Sequence, residues 1–145
     1  MGLFDAFDAS GSGLSAERLR MDVTAENLAN AQSTRTANGQ GPYRRKEVVL
    51  QEAGSGTAAG ATFADSLQAA RGVRVAGIVE DQTPLRKVYD PGHPDADAQG
   101  YVTMPNVNTV TEMTDLIGAS RAYEANVTAM QTTKQMFART LDLLK

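Results

Sequence analysis

The residues best suited to chemistry in this chain are three aspartates and the only histidine, which lie together in a segment punctuated by proline and glycine. Asp90, His93, Asp95 and Asp97 supply carboxylates and an imidazole, the groups with which proteins bind divalent cations. A metal-dependent hydrolase is therefore one hypothesis. The same residue types are common in exposed turns, where aspartates accept hydrogen bonds from backbone amides. We favour the turn, and we expect no catalytic residue, no metal ion and no cofactor.

The composition of the chain excludes several kinds of functional site and partner. The chain of 145 residues contains no cysteine, which excludes disulfides, thiolate metal sites and cysteine nucleophiles. Its net charge of -3 argues against nucleic acid as a partner, and the triplet Arg44, Arg45 and Lys46 is more typical of the solvated face of a strand. No apolar run is long enough for lipid insertion. The first residues lack the charged and apolar regions of a cleaved signal peptide.

The acidic segment precedes a long predicted helix at residues 106–145. Steps of three and four residues from Met113 reach only apolar residues except at Ser120 and Lys134. This heptad pattern predicts an apolar seam along one face of a helix. A helix of this length needs a partner along most of its surface, so we assign the seam to an assembly interface. Its members are Met113, Leu116, Tyr123, Val127, Met130, Phe137, Leu141 and Leu144.

The start of this helix carries strong capping signals. Thr109 and Glu112 have the spacing of a capping box, in which each side chain accepts a hydrogen bond from a free backbone amide. Asn106 and Asn108 are alternative caps.

A second amphipathic helix is predicted near the N-terminus. Phe7, Leu14, Met21 and Leu28 recur at steps of seven and form its seam, which we also assign to the interface. The serine and glycine residues at 10–13 should break the helix, so residues 2–13 are expected to form a separate turn or arm. Asn27 and Asn30 near its end either bond to a neighbouring backbone or mark a fraying terminus.

Short strands are predicted between the helices, at residues 43–52, 72–81, 85–89 and 100–104. The sequence therefore predicts an α+β protein: two long terminal α-helices form an antiparallel coiled-coil-like pair, with a small β-rich insertion between them. We divide the chain into an N-terminal helix at 1–35, a middle domain at 36–105 with a flexible linker at 53–62, and a C-terminal helix at 106–145. Residues 63–70 fit either a helical turn or a strand.

Several runs of residues resemble a known family. SGSGLSA at 10–16 and AENLANA at 25–31 resemble the N-terminal signature of the flagellar rod and hook axial proteins, and ASRAYEANV at 119–127 resembles their C-terminal helix. VYDPGHPDA at 88–96 and GYVTMPNVN at 100–108 resemble the proximal-rod branch of this family. Four asparagines fall within these matches: Asn27, Asn30, Asn106 and Asn108.

The resemblance implies a structural subunit of the bacterial flagellar basal body, located in the periplasmic rod. Terminal helices of many subunits would pack into a helical tube that transmits torque. The implied partners are copies of the chain, other flagellar rod proteins and, in transit, the flagellar type III export apparatus, which needs no cleaved signal. Besides the hydrolase, the open alternatives are another rod-family axial protein and a soluble coiled-coil adaptor that binds a partner helix.

The two predicted helices also carry an expectation about the free subunit. Ordering each residue costs about 1–2 kcal/mol of backbone entropy, which a lone helix pair with one narrow seam does not recover. We therefore expect both terminal arms to be largely disordered before assembly and to become ordered when neighbouring subunits cover their seams.

Overall fold

The computed structural model describes residues 3–36, 41–53 and 72–142, with the side chains of residues 3 and 4 left out. Within these residues it contains two helices and four strands, which confirms an α+β fold. In chain order they are α1 (Leu3–Ala29), β1 (Lys46–Glu52), β2 (Val73–Glu80), β3 (Arg86–Tyr89), β4 (Tyr101–Met104) and α2 (Thr109–Asp142). The predicted linker beyond residue 53, the undecided segment at 63–70 and Leu144 lie outside the described residues.

The strands form two separate antiparallel ribbons. β1 pairs with β2 from Lys46 opposite Glu80 to Glu52 opposite Val73, with one irregularity between Val49 and Leu50. β3 pairs with β4 from Arg86 opposite Met104 to Tyr89 opposite Tyr101. The acidic segment is the loop that joins β3 to β4, so its ends are held together by this second ribbon.

Helix α1 runs without interruption through residues 10–13, so the predicted break is wrong. The Ser12 hydroxyl donates to the Ala9 carbonyl oxygen at 2.8 Å and therefore bonds within the helix. A Cβ atom at Gly13 would lie 3.2 Å from the Asn126 amide nitrogen, and one at Gly11 would lie 3.8 Å from the end of Met130. The glycines thus allow α2 to approach α1 closely, and this packing outweighs their poor helix propensity.

The two helices run antiparallel. Gly11 lies beside Met130, Gly13 beside Asn126, and Asn27 bonds to Glu112, so residue numbers rise along one helix as they fall along the other. The stretch from Gly13 to Asn27 corresponds to about 20 Å of helix. Contact over this distance means that the helices pack side by side rather than cross at a single point.

The buried apolar core is small, and most of its members are alanine or valine. Among the described residues it consists of Ala16, Val23, Ala31, Tyr43, Val102, Val107 and Ala119. A large apolar side chain contributes about 1.5–3 kcal/mol when fully buried, and only Tyr43 among these is large. Fully buried apolar side chains therefore contribute little to the stability of the described part of the chain.

Candidate functional site

The centre of the molecule is a polar junction where α1, the start of β1 and the start of α2 meet. Asn27 is 1 % exposed, and all of its hydrogen-bonding groups are used. Its amide nitrogen donates to the Lys46 carbonyl oxygen at 2.8 Å and to Glu112 Oε2 at 3.0 Å. Its oxygen accepts from the Lys46 amide at 2.9 Å and from the Tyr43 hydroxyl at 2.9 Å. One side chain thus joins all three elements.

Glu112 and Arg45 form the charged part of this junction. The Glu112 side chain is 1 % exposed, and its Oε1 atom accepts from Arg45 Nε at 2.5 Å. Asp115 lies 3.5 Å from the same guanidinium, and Glu47 pairs with it as well. Although burial lowers the pKa of Arg45, its bonds to Glu112 and Glu47 more than compensate and raise it. A buried carboxylate without such a partner would cost several kcal/mol, so Arg45 makes the junction possible.

Tyr43 closes the junction on the side of β1. Burial, and then the nearby charges of Glu26 and Glu112, raise the pKa of its hydroxyl to about 12. The hydroxyl is therefore neutral and remains a donor to Asn27 at physiological pH. The ammonium of Lys46 lies 5.5 Å from the centre of the Tyr43 ring and pairs with Glu26 at 2.6 Å, which covers the ring from outside.

Asn106 and Asn108 fix the segment that precedes α2 through side-chain hydrogen bonds. The Asn106 oxygen accepts from the Arg45 amide at 2.8 Å, and its nitrogen donates to the Asp81 carbonyl oxygen at 3.1 Å, so it bridges β1 and the end of β2. Asn108 caps α2, since its side-chain oxygen accepts from the Val110 amide at 3.0 Å. The predicted capping box is therefore wrong, and Asn108, the alternative cap, takes its place. The Glu112 carboxylate bonds to Asn27 and Arg45 instead.

Asn30 has a local role at the end of α1. Its nitrogen donates to the Glu26 carbonyl oxygen at 3.0 Å, and its oxygen accepts from the Ser33 hydroxyl at 3.1 Å. Of the two interpretations that the sequence left open, Asn27 follows the first, because it bonds to the neighbouring backbone of β1. Asn30 only fixes the turn that follows the helix.

The acidic segment is a turn in which backbone amides satisfy the carboxylates. Asp90 accepts from the Gly92 amide at 3.2 Å, and Asp97 accepts from the Tyr101 amide at 2.9 Å. His93 Nδ1 accepts from the amide of Asp95 at 3.1 Å. In residues 3–36, 41–53 and 72–142, no group of three or more such side chains is arranged to hold a metal ion. The geometry gives the hydrolase hypothesis no support.

Asp95 instead connects this turn to the end of α1. Its carboxylate accepts from the Thr34 hydroxyl at 2.7 Å and pairs with Arg35. The Thr34 hydrogen bond, followed by the Arg35 interaction, holds the pKa of Asp95 below its usual value. The amides of Tyr101 and Gln99 do the same for the pKa of Asp97. Both groups are therefore charged near neutral pH. Asp95 ties the β3–β4 ribbon to the end of α1, whereas Asp97 stabilises the turn itself.

The predicted apolar seams are only partly covered within the chain. Phe7, Leu14, Met21 and Leu28 of α1 are half-buried, as are Leu116, Tyr123, Val127 and Met130 of α2. Met113, Phe137 and Leu141 are 54 %, 40 % and 47 % exposed. The most buried residues of α2 are Glu112 and Ala119, which lie on a face rotated from the predicted seam. A straight α-helix drifts by about 20° per heptad, so one strict repeat does not stay on one side.

Sequence reasoning missed three members of the junction: Tyr43, Arg45 and Glu112. Arg45 was expected on the solvated face of a strand, but its side chain is 18 % exposed. Each of the three contacts a residue far away in sequence, and Asn27 and Glu112 are separated by 85 positions. The sequence showed a tyrosine and a basic triplet at the start of a predicted strand and a glutamate in the first turn of a predicted helix, and none of these local patterns identifies a distant partner.

Comparison with known proteins assigns both helices to flagellar families. Residues 7–35 match a family described as "Flagella basal body rod protein", and this matched range includes Asn27 and Asn30. Residues 98–143 match a family described as "Flagellar basal body rod FlgEFG protein C-terminal", and this matched range includes Asn106, Asn108 and Glu112. The two matches therefore include both sides of the Asn27–Glu112 contact.

Whole-chain relatives agree with these matches. The flagellar basal-body rod protein FlgC of Borreliella burgdorferi is 45 % identical, with 100 % of this chain and 99 % of the relative aligned. FlgC of Salmonella typhimurium is 46 % identical over 99 % of this chain and 98 % of the relative. FlgC of Bacillus subtilis is 45 % identical over the full length of both.

Proposed function

The chain belongs to the family of the flagellar basal-body rod protein FlgC, and we propose that its two terminal helices build it into the proximal part of the rod. As a member of this family it is a structural rod subunit of the flagellar basal body and not an enzyme. In our proposal the helices pack against copies of this chain and against other rod proteins. The subunits then wind into a helical tube that transmits torque.

The exposed apolar side chains on α2 carry this proposal. Val110, Met113 and Ile117 follow one another at helical spacing and are 71 %, 54 % and 52 % exposed. On the side of α2 that faces α1, Glu112 and Ala119 are instead buried, and Asn126 and Met130 lie next to Gly13 and Gly11. Contiguous apolar side chains left in water are typical of protein interfaces. Neighbouring subunits would supply the cover that this chain does not.

The dimensions of the helices fit the same role. α2 has 34 residues and α1 has 27, which correspond to about 50 and 40 Å of helix. Half-buried seam residues such as Leu14, Met21, Tyr123 and Val127 lie along this length. We propose that these residues complete coiled-coil packing with the helices of neighbouring subunits, so that each α1–α2 pair forms one segment of the tube wall.

Export through the flagellar type III apparatus, without a cleaved signal, belongs to the same proposal. Such a channel passes unfolded chains, and a chain with few large buried apolar residues costs little to unfold. None of the described helices is long and apolar enough to cross a membrane. In this proposal the assembled subunit lies in the periplasmic rod.

The proposal can be tested by placing charge on the exposed apolar residues of α2. A strain that lacks the gene is complemented with Met113→Asp/Ile117→Asp, and motility and the subunit content of purified basal bodies are measured. We expect export to continue and both motility and incorporation to be lost. Met113→Leu/Ile117→Leu and the exposed Ala125→Asp serve as controls that should assemble. Normal incorporation of the charged variant would contradict the proposal.

The coiled-coil adaptor differs from this proposal in its need for α1. An adaptor that binds through one helix would still bind its partner after residues 1–31 are deleted. A rod subunit would no longer be incorporated into the basal body. The deletion removes Asn27, which bonds to Glu112, and so breaks up the junction that Glu112 forms with Arg45.

A further inference from the structure

The serine and glycine turn of α1 at residues 10–13, which we call the coupling turn, contacts α2 on one side. A Cβ atom at Gly11 would lie 3.8 Å from the end of Met130, and one at Gly13 would lie 3.2 Å from the Asn126 amide nitrogen. Glycine is among the residues that favour helix least. α2 therefore packs on a turn whose own sequence disfavours the helical conformation that it adopts.

The other side of the coupling turn holds the start of β2. The Ser12 hydroxyl donates to the Ala9 carbonyl oxygen at 2.8 Å and accepts from the Val73 amide at 3.1 Å. Gly72 has a φ of 97°, and a Cβ atom there would overlap Ser12 Oγ and lie 3.3 Å from Ala9 Cα. The backbone that leads into β2 thus approaches α1 at a position where only glycine fits.

The β1–β2 ribbon lies along α1 and is attached near both of its ends. At one end the Lys46 backbone bonds to Asn27, and at the other the Val73 amide bonds to Ser12. About 22 Å of helix separate Ser12 from Asn27. The strand from Lys46 to Glu52, which lies opposite Val73, spans about 20 Å. Because the two lengths match, the ribbon follows α1 between these bonds.

The ribbon and α2 lie on different sides of α1. At about 100° per residue, Ser12 points about 180° away from the direction midway between Gly11 and Gly13. Within the described helices and strands, no Cα atom of β1 or β2 lies within 8 Å of one in α2. In this part of the described chain, α1 therefore connects the ribbon to α2.

We infer that the coupling turn is helical only while the ribbon and α2 both hold it, so that each of them stabilises the other through α1. Each glycine lowers the helix equilibrium about fivefold relative to alanine, which gives the turn a coil state close in free energy to the helix. The Ser12–Val73 bond and the packing of α2 both favour the helix. An element with two states that two sites bias is the physical requirement for coupling between those sites.

The coupling gives the subunit a defined response to its neighbours. A neighbouring subunit that stabilises the ribbon also stabilises α2 on the far side of α1, and the reverse holds by thermodynamic linkage. This inference rests on the proposed function, because it describes how a contact made in the rod spreads through the subunit. Each new contact then orders the helix pair as a whole rather than one surface of it.

Hydrogen exchange of the full-length chain in purified basal bodies tests the coupling. Gly72→Ala disturbs the attachment of β2, because the added Cβ atom would overlap Ser12 and the φ of Gly72 disfavours alanine. Mass spectrometry measures exchange in β2, in the coupling turn and in residues 122–131 of α2. We expect faster exchange in all three. In α2 the increase should be about threefold or more, although no Cα atom of β2 lies within 8 Å of α2.

Gly77→Ala is the matched control in the same strand, because a Cβ atom there meets no atom within 4 Å. It should leave exchange in α2 unchanged. If Gly72→Ala accelerates exchange in β2 alone, the coupling is overturned and the proposed function remains intact. Absence of the unmodified chain from basal bodies contradicts the proposed function, on which the inference rests.

A second background separates coupling from a general loss of stability. Gly11→Ala favours helix in the coupling turn, and its Cβ atom would make an ordinary contact with Met130 at 3.8 Å. In this background Gly72→Ala should still accelerate exchange in β2. Its effect on α2 should fall below about twofold, because the turn then needs the ribbon less to stay helical. An equal effect on α2 in both backgrounds contradicts the inference.

Two substitutions of Ser12 keep the inference testable if Gly72→Ala prevents incorporation. Both remove the bond to Val73 and add no atom. Ser12→Ala favours helix in the coupling turn, so exchange should become faster in β2 but not in α2. Ser12→Gly disfavours helix, so exchange should become faster in both. The same response of α2 to the two substitutions contradicts the inference.

Discussion

At the scale of single residues, the side chain that organises this subunit is an amide. Asn27 donates to Lys46 and Glu112 and accepts from Lys46 and Tyr43, so both ends of its amide are matched. An aspartate has the same shape but no donor, and it would place a second carboxylate against Glu112. An aliphatic side chain would leave four polar groups of its neighbours buried without partners.

Substitution of Asn27 should therefore destabilise the fold strongly. We expect Asn27→Ala to lower the free energy of unfolding by about 2–4 kcal/mol, and Asn27→Asp to lower it more, because the latter adds charge repulsion. Urea denaturation measures both. Asn30→Ala is the control, since its bonds are local, and it should cost less than about 1 kcal/mol. Equal effects at both positions would contradict the central role of Asn27.

The raised pKa of Tyr43 predicts a loss of stability in alkali. The hydroxyl titrates near 10 in the unfolded chain and at about 12 in the folded one. The contribution of the Tyr43 hydroxyl to the free energy of unfolding is complete below pH 10. It is lost as the pH rises towards 12, because only the unfolded chain releases the proton in this range. Denaturation at several pH values measures the slope, and Tyr43→Phe should lack this part of it. An identical slope in both proteins would show that Tyr43 is not its source.

At the scale of elements, the N-terminal helix shows how packing overrules local preference. Glycine and serine at positions 10–13 disfavour helix, and from the sequence we expected a break there. In the folded chain the absence of side chains at Gly11 and Gly13 lets α2 approach, so the segment is helical because of its neighbour. This is information that only a partner segment more than a hundred residues away provides.

Two glycines in helices should respond to substitution in opposite ways. Gly13→Leu should lower the free energy of unfolding by about 1–3 kcal/mol, because its side chain would overlap Asn126. Gly118→Ala should raise it by up to about 1 kcal/mol, since a Cβ there meets no atom within 4 Å and alanine favours helix. Thermal or urea unfolding measures both. If Asn126→Ala does not partly restore Gly13→Leu, the overlap is not the cause.

At the scale of the whole molecule, stability and assembly are connected. The buried apolar residues of the described chain are few and small, whereas ordering each helical residue costs about 1–2 kcal/mol of backbone entropy. In our proposal, neighbouring subunits cover the exposed Val110, Met113 and Ile117, and this burial adds stability that the single chain lacks. The subunit is therefore expected to gain much of its order when it joins the rod.

Circular dichroism of the dilute subunit tests this expectation. The 27 residues of α1 and 34 of α2 make up about two fifths of the 145-residue chain. We expect the helix content of the dilute protein to be well below this fraction and to rise on assembly. A helix content near two fifths at low concentration would show that the helices order without neighbours.

The sequence by itself determined which elements form and in what order. Heptad spacing gave both helices, alternation and turn residues gave the four strands, and the family motifs pointed to the rod, because all of these are local patterns. The packing partners were decided by the fold. Tyr43, Arg45 and Glu112 became one junction with Asn27, and the most buried residues of α2, Glu112 and Ala119, lie beside its predicted seam rather than on it. The physical reason is that burial depends on which distant segments approach closely enough to exclude water.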